Sequence, residues 1–261
     1  MIALVAALGS AALGCTNILV SKGASANGAT QLSYNADSGN LYGSLSHYKA
    51  ADHKEGALRE IWDWDDSIYL GSIPEPAHTF NVVGNVNEHG LMIGETTFGG
   101  LKQLDGHGTG AIMDYGSLIW VTLQRAKTSE EAIHVRRSYA SLRFARRCCC
   151  HRRSRSLPPS FRVRAQMIDE LCQTYGYASD GESFSISDGK SIWLMELIGK
   201  GATKGAVWVA SRVPEGYVGS TANQARTRTF ARNTPADVLY AKDVVTFAQS
   251  VGLYPEVSWF C

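Results

Sequence analysis

The chain has 261 residues, 44% of them hydrophobic and 19% charged, with a formal net charge of +1. That is enough apolar material for one domain with a sizeable core, and it suits a globular enzyme. The six cysteines exclude a disulfide framework, because three are adjacent at Cys148, Cys149 and Cys150 and only Cys15, Cys172 and Cys261 remain.

Residues 1–14 carry no charge and read as an apolar leader or propeptide, with the small residues Ala12 and Gly14 before a cut. The run is shorter than the ~20 apolar residues that a bilayer span needs, so no stable membrane anchor is expected. Cleavage after Gly14 would leave Cys15 with both a thiol and a free α-amine. An α-amine titrates near ~7.7–8.0 and a thiol near ~8.5, so the two can exchange a proton and form a nucleophile with its own base. From the residues alone, a lipid-modified cysteine and an ordinary buried thiol are the alternatives. The leader points to the secretory pathway or a lumenal or extracellular site; the alternative is a cytoplasmic protein that removes its own propeptide.

Strand-like runs at 16–21 and 29–35 are joined by a Gly/Ser/Asn loop. The hairpin they predict returns Asp37, in the turn-forming NADSG, toward Cys15. Next, WDWDD at 62–66 reads as an exposed acidic turn anchored by Trp62 and Trp64, or as a pocket for a peptide's free amine. Further strands are predicted at 78–86, 91–98, 183–188, 191–198 and 206–212, with turns such as Asn87-Glu-His-Gly90 between them. Helical spacing occupies 111–127, 129–135 resumed at 166–175, and 236–251, with a capping box at Thr128-Ser-Glu-Glu131. Hairpin clusters separated by helices predict an α+β fold, two antiparallel sheets with helices outside.

The segment 136–166 breaks this pattern. Ten arginines and no acids lie in 136–164, leaving 15 basic and 24 acidic residues in the rest of the chain. The block matches neither period and splits what would otherwise be one amphipathic helix, so it reads as an aberrant, disordered insertion. A nucleic-acid or membrane-binding arm is disfavoured because no stacking platform or binding module accompanies the charge. Cys148 to Cys150 lack the spacer that zinc chelation uses, and the histidines, His47, His53, His78, His89, His107 and His134 among them, show no paired metal spacing. No metal or cofactor is therefore assigned, and no phosphate loop, dinucleotide fingerprint or serine-nucleophile elbow is present.

CTNILVSKGASANGATQLSYNADSG resembles the start of the dipeptidase A and secernin-like cysteine peptidases, N-terminal-nucleophile hydrolases related to penicillin acylase and bile salt hydrolase. The resemblance continues through NEHGLMIGETTFGG (87–100), YGYASDGESFSISDGKSIWLMELIGKG (175–201) and RVPEGYVGSTANQAR (212–226). It implies a four-layer αββα fold over 15–261, incomplete at the C-terminus, and a cysteine-type dipeptidase acting on small peptides through a thioester. Cys15 would attack and its amine would carry the proton. Asp37 would orient them, although by itself Asp before Ser-Gly equally suits an Asx turn. Asn223 would donate to the oxyanion, with a loop-capping amide as its alternative. Thr97 aligns with a second active-site Asn of relatives, and Arg226 is a candidate for a substrate carboxylate. One departure concerns the basic residue that relatives carry shortly before Asp37, where this chain has Tyr34 and Asn35. An amidase on non-peptide acyl amides and a catalytically inactive truncated relative are the competing expectations. Oligomeric state is left open, a homo-oligomer included.

Overall fold

The computed structural model describes residues 14–37, 44–133 and 167–254. The leader up to residue 13 and the Arg-rich block at 136–166 lie outside the described residues, as does the last part of the chain.

A three-stranded antiparallel sheet forms from β1 (Thr16–Val20), β2 (Gln31–Asn35) and β14 (Val218–Thr221), with β1 in the middle. An eight-stranded sheet runs in the order β15 (Val238–Tyr240), β13 (Thr203–Arg212), β12 (Ile192–Lys200), β11 (Gly181–Ser187), β10 (Met92–Gly99), β9 (Val86–Asn87), β8 (Val82–Val83), β3 (His47–Tyr48). Two hairpins complete the strands, β4 (Ala51–Asp52) with β7 (His78–Thr79) and β5 (Leu58–Trp62) with β6 (Tyr69–Pro74). Among the described residues the helices are α1 (Tyr115–Leu123), α2 (Ser129–Ile133), α3 (Ile168–Tyr175) and α4 (Val244–Ser250).

Pleat parity shows how the layers stack, because successive side chains leave a strand on opposite faces. Phe184 and Ile186 of β11 join the core with Leu118, Ile168 and Leu171, so this face meets the helices. The opposite face meets the small sheet. There Asn17 Nδ2 donates to Ser185 Oγ at 3.1 Å, and Thr30 and Ser187 share a hydroxyl contact at 2.7 Å. Helices, large sheet and small sheet thus follow one another. Ile18 and Val218, on the outer face of the small sheet, remain 46% and 60% exposed. Among the described residues no helix is assigned to that outer face, so these residues carry three of the four expected layers.

Local chemistry accounts for the well-placed elements. Asp114 caps α1 by accepting from the Ser117 amide at 3.1 Å, the usual service of an N-cap carboxylate. Thr128 Oγ1 accepts from the Glu131 amide, and Glu131 reaches back to the Lys127 amide at 2.9 Å, one residue earlier than an ideal capping box. Asn87 folds the NEHG turn on itself through the His89 and Leu91 amides and binds the Leu123 and Ala126 carbonyls. Two expectations need correction. The 236–251 helix is a strand followed by a short helix, because Val238–Tyr240 closes the edge of β13. The 78–86 strand is three two-residue strands.

Candidate active site

Cys15 stands immediately before the central strand of the small sheet. Thr16 pairs with Asn35 on one side, and Asn17 pairs with Thr221 on the other. Carrying each antiparallel register one or two residues outward flanks Cys15 with residues 36 and 37 on the β2 side and with Asn223 on the β14 side. Three residues far apart in sequence are brought to one sheet end.

Each reaches the site differently. The Asp37 main-chain N–H lies near enough to the Cys15 sulfur to favour its thiolate, while its exposed carboxylate accepts from Asn35 Nδ2 at 2.7 Å. In the uncleaved chain both the backbone and the carboxylate of Asp37 act on the Cys15 thiol, in opposite directions. Asn223 is half-buried in a left-handed conformation, φ +44°, which costs a non-glycine residue energy and is least unfavourable for Asn and Asp. Its Nδ2 donates to the Thr97 carbonyl at 2.6 Å. Thr97 Oγ1 donates to Glu182 Oε1 at 2.8 Å, so Thr97 braces other groups. The Arg226 side chain is exposed, and the residue is tied down through its amide, which donates to Glu196. Glu196 also accepts from the Thr227 amide at 2.7 Å. One buried carboxylate thus clamps the loop that follows Asn223.

Three residues escape a reading of the sequence: Glu95, Glu182 and Glu196. The signal is an acid in a strand of small and apolar residues, as in MIGETTF, GESFSIS and IWLMELI. Tyr34 Oη donates to Glu95 Oε1 at 2.7 Å. Burial raises the Tyr34 phenol strongly, with the Glu95 charge second. For Cys15, burial and then the Glu95 carboxylate push the thiol up. The Asp37 amide opposes them, and the Glu182 and Asp37 carboxylates add smaller upward pushes. With Gly14 still attached, this thiol is therefore held in its protonated, weakly nucleophilic form at neutral pH.

The WDWDD segment is a built turn. Asp63 Oδ1 accepts from the amides of Asp65 and Asp66, Trp64 stacks 4.0 Å from Trp120, and Asp65 accepts from Tyr115 Oη at 2.9 Å. Asp105, His107 and Asp180 hold ligand-type atoms within 4.8 Å of one another, with His107 already bonded to Asp105. A cavity of about 700 Å³ lies against the small-sheet side of β12 and β13, lined by Phe98, Ile198, Val207 and Phe230 together with Glu196 and Asn223. Asn223 therefore stands, by register, at the Cys15 end of the sheet and also lines an apolar chamber. Among the described residues, no helix is long and apolar enough to cross a membrane.

Comparison with known proteins bears on the second half of this arrangement. The model of Peptidase family C69 matches residues 157–260, which include Glu182, Glu196, Asn223 and Arg226. A protein of Salmonella dublin named "Probable dipeptidase" is 30% identical over 95 residues, 36% of this chain and 21% of that protein. The chain thus aligns with about a fifth of that relative's length. The motifs quoted from the sequence and the family model converge on one likeness, to the dipeptidase-type enzymes of peptidase family C69.

Proposed function

We propose that this chain is a cysteine-type dipeptidase of the N-terminal-nucleophile class. The observation that carries the reading is the strand register that flanks Cys15 with the Asp37 amide and with Asn223. The likeness to peptidase family C69 supports it. In this scheme the Gly14–Cys15 bond is cut and Cys15 gains an α-amine, which takes the thiol proton. The sulfur attacks the substrate carbonyl carbon, the Asn223 amide hydrogen-bonds the oxyanion, and the ammonium returns its proton to the leaving amine. Water then opens the thioester by the same route in reverse. An outer helical layer on Ile18 and Val218 would complete the four-layer αββα arrangement.

The test joins mass spectrometry to turnover. The mature protein should begin at an unblocked Cys15, and it should release amino acids from a dipeptide panel. Cys15→Ala should abolish that release, and Cys15→Ser should reduce it severely. Full turnover after irreversible alkylation of the Cys15 sulfur would refute the mechanism. The apolar lining of the cavity beside Asn223 favours one second reading, an amidase on a non-peptide acyl group. Acyl amides assayed beside the dipeptides separate the two.

A further inference from the structure

Glu95 and Glu182 are sealed inside the protein, 3% and 0% exposed. In the β10–β11 register Thr97 faces Glu182 and Glu95 faces Phe184, so the two acids are diagonal neighbours on one face. Long side chains span that diagonal, and the carboxyl groups lie within hydrogen-bonding reach of each other. Each has one oxygen satisfied by a hydroxyl donor, Tyr34 for Glu95 at 2.7 Å and Thr97 for Glu182 at 2.8 Å. The other two oxygens, Glu95 Oε2 and Glu182 Oε2, are buried and lack any donor among the described residues.

Two unsolvated carboxylates so close together are costly twice over, through desolvation and through like-charge repulsion. A single proton between them removes the repulsion and one of the two desolvation costs, because one oxygen becomes a donor to the other. We propose that Glu95 and Glu182 share one proton at neutral pH and serve as a positioning pair for Cys15, presenting it with one negative charge rather than two. The role assigned to Cys15 rests on the function proposed above; the shared proton stands without it.

Burial also limits what the pair can do. Neither free oxygen is open to solvent, so the pair does not bind a substrate's amine. The ionisable groups around it are Tyr34 from β2, Tyr115 from α1, Tyr177 and Asp180 ahead of β11, and Cys15 with Asp37 at the small-sheet end. All three phenols are raised, burial being the largest cause, and stay neutral. Cys15 is left as the reactive group that senses the pair. Before cleavage one fixed negative charge opposes thiolate formation. After cleavage the same charge stabilises the ammonium that Cys15 becomes when its amine accepts the thiol proton.

The test is a difference infrared spectrum of the full chain at neutral pH, read together with peptide-resolved alkylation of Cys15 by iodoacetamide across pH. The wild type should show a protonated-carboxyl C=O band that disappears in both Glu95→Gln and Glu182→Gln. Each single variant keeps one negative charge, so its alkylation midpoint should stay near wild type. The double variant keeps none, and its midpoint should fall, with the rate at neutral pH rising about tenfold for each pH unit of that fall. A wild-type spectrum without the band overturns the proposal, whether or not any variant folds. A stepwise fall of the midpoint through the single variants overturns it too, because that is the behaviour of two charges. Turnover that survives Cys15→Ala would sink the proposed function while leaving the band in place.

Discussion

The side-chain amide of Asn223 donates to the main-chain oxygen of Thr97 at 2.6 Å, from a backbone held at φ +44°. An amide nitrogen carries two hydrogens. One fixes the direction of the group, and in the proposed mechanism the other would meet the charge that develops on a carbonyl oxygen at Cys15.

Asn223→Gly keeps access to the left-handed backbone and deletes the amide. It should lower kcat by about 10²–10³-fold, the size of effect seen when one oxyanion donor is removed, with little change in melting temperature. Asn223→Ala should show the same kinetic loss plus roughly 1–2 kcal/mol of instability, since Ala disfavours the left-handed region. Steady-state kinetics with thermal melts on both variants checks the pair. Equal turnover in wild type and Asn223→Gly would leave Asn223 as a loop anchor only.

Gly94 makes room for Tyr34. A Cβ built on Gly94 would lie 2.9 Å from Tyr34 Cβ and 3.2 Å from Tyr34 Cγ. Gly94→Ala should therefore push the phenol away from Glu95 and cost about 1–3 kcal/mol, the range of overpacked sites. Adding Tyr34→Ala should recover part of that loss. A double-mutant cycle by urea denaturation measures the coupling, and strict additivity would mean that the crowding is relieved elsewhere.

The β1–β2 hairpin and the return of Asp37 toward Cys15 are legible in the sequence because loop and strand signals there are local. β14 is not, since VGST is short and becomes a strand through pairing with β1, about two hundred positions earlier in the chain. The apolar spacing of 236–251 suits a helix, yet 238–240 pairs with the edge of β13, and tertiary pairing prevails over spacing. Thr97 illustrates the limit at the site. Its hydroxyl suggests a substrate contact, but the pleat turns it toward Glu182. That Glu95 and Glu182 point inward follows from strand parity and register, which residue type alone does not reveal.

Stability should depend on pH through Glu182. Burial first, and then the neighbouring Glu95, raise its carboxyl well above the ordinary range. The unfolded chain loses this proton near pH ~4.3, whereas the folded chain keeps it to higher pH. The folded state then binds more protons than the unfolded one. The contribution is fully present below the unfolded value and is lost as pH rises through the folded one. Glu182→Gln, which cannot ionise, should flatten this decline, so the stability difference between variant and wild type should move in favour of the variant from pH 5 to pH 8. Urea midpoints across that interval measure it, and a difference that moves the other way would contradict a raised Glu182.

His107 should titrate above an ordinary histidine. Burial acts to lower it, but the hydrogen bond it donates to Asp105 and the charges of Asp105, Asp180 and Asp63 outweigh burial. Its imidazolium is favoured in the folded state, so this contribution to stability is present below the unfolded value of about 6.5 and fades as pH rises through the higher folded one. Proton NMR of the imidazole should place its midpoint above that of a model histidine, and Asp105→Asn should bring it down. A midpoint unchanged by Asp105→Asn would assign the shift to the remaining carboxylates.

Glu75 holds two cations under the β5–β6 hairpin. Arg125 Nη2 lies 3.2 Å from Glu75 and 3.1 Å from the Pro74 carbonyl, and Arg59 Nη1 lies 3.9 Å from the same carboxylate. The Arg125 and Glu75 side chains are only 6% and 9% exposed. Burial lowers both guanidinium groups, and the charge of Glu75 opposes that effect. Removing the carboxylate by Glu75→Ala would leave two buried cations facing each other, and breaking a buried pair in this way costs about 3–5 kcal/mol. Replacing Arg125 by Met in the same background removes one of the two positive charges and should restore part of the loss. Denaturant unfolding of the wild type and the two variants reads the effect directly. A loss in Glu75→Ala below about 1 kcal/mol, typical of a solvent-screened pair, would show that water reaches this cluster.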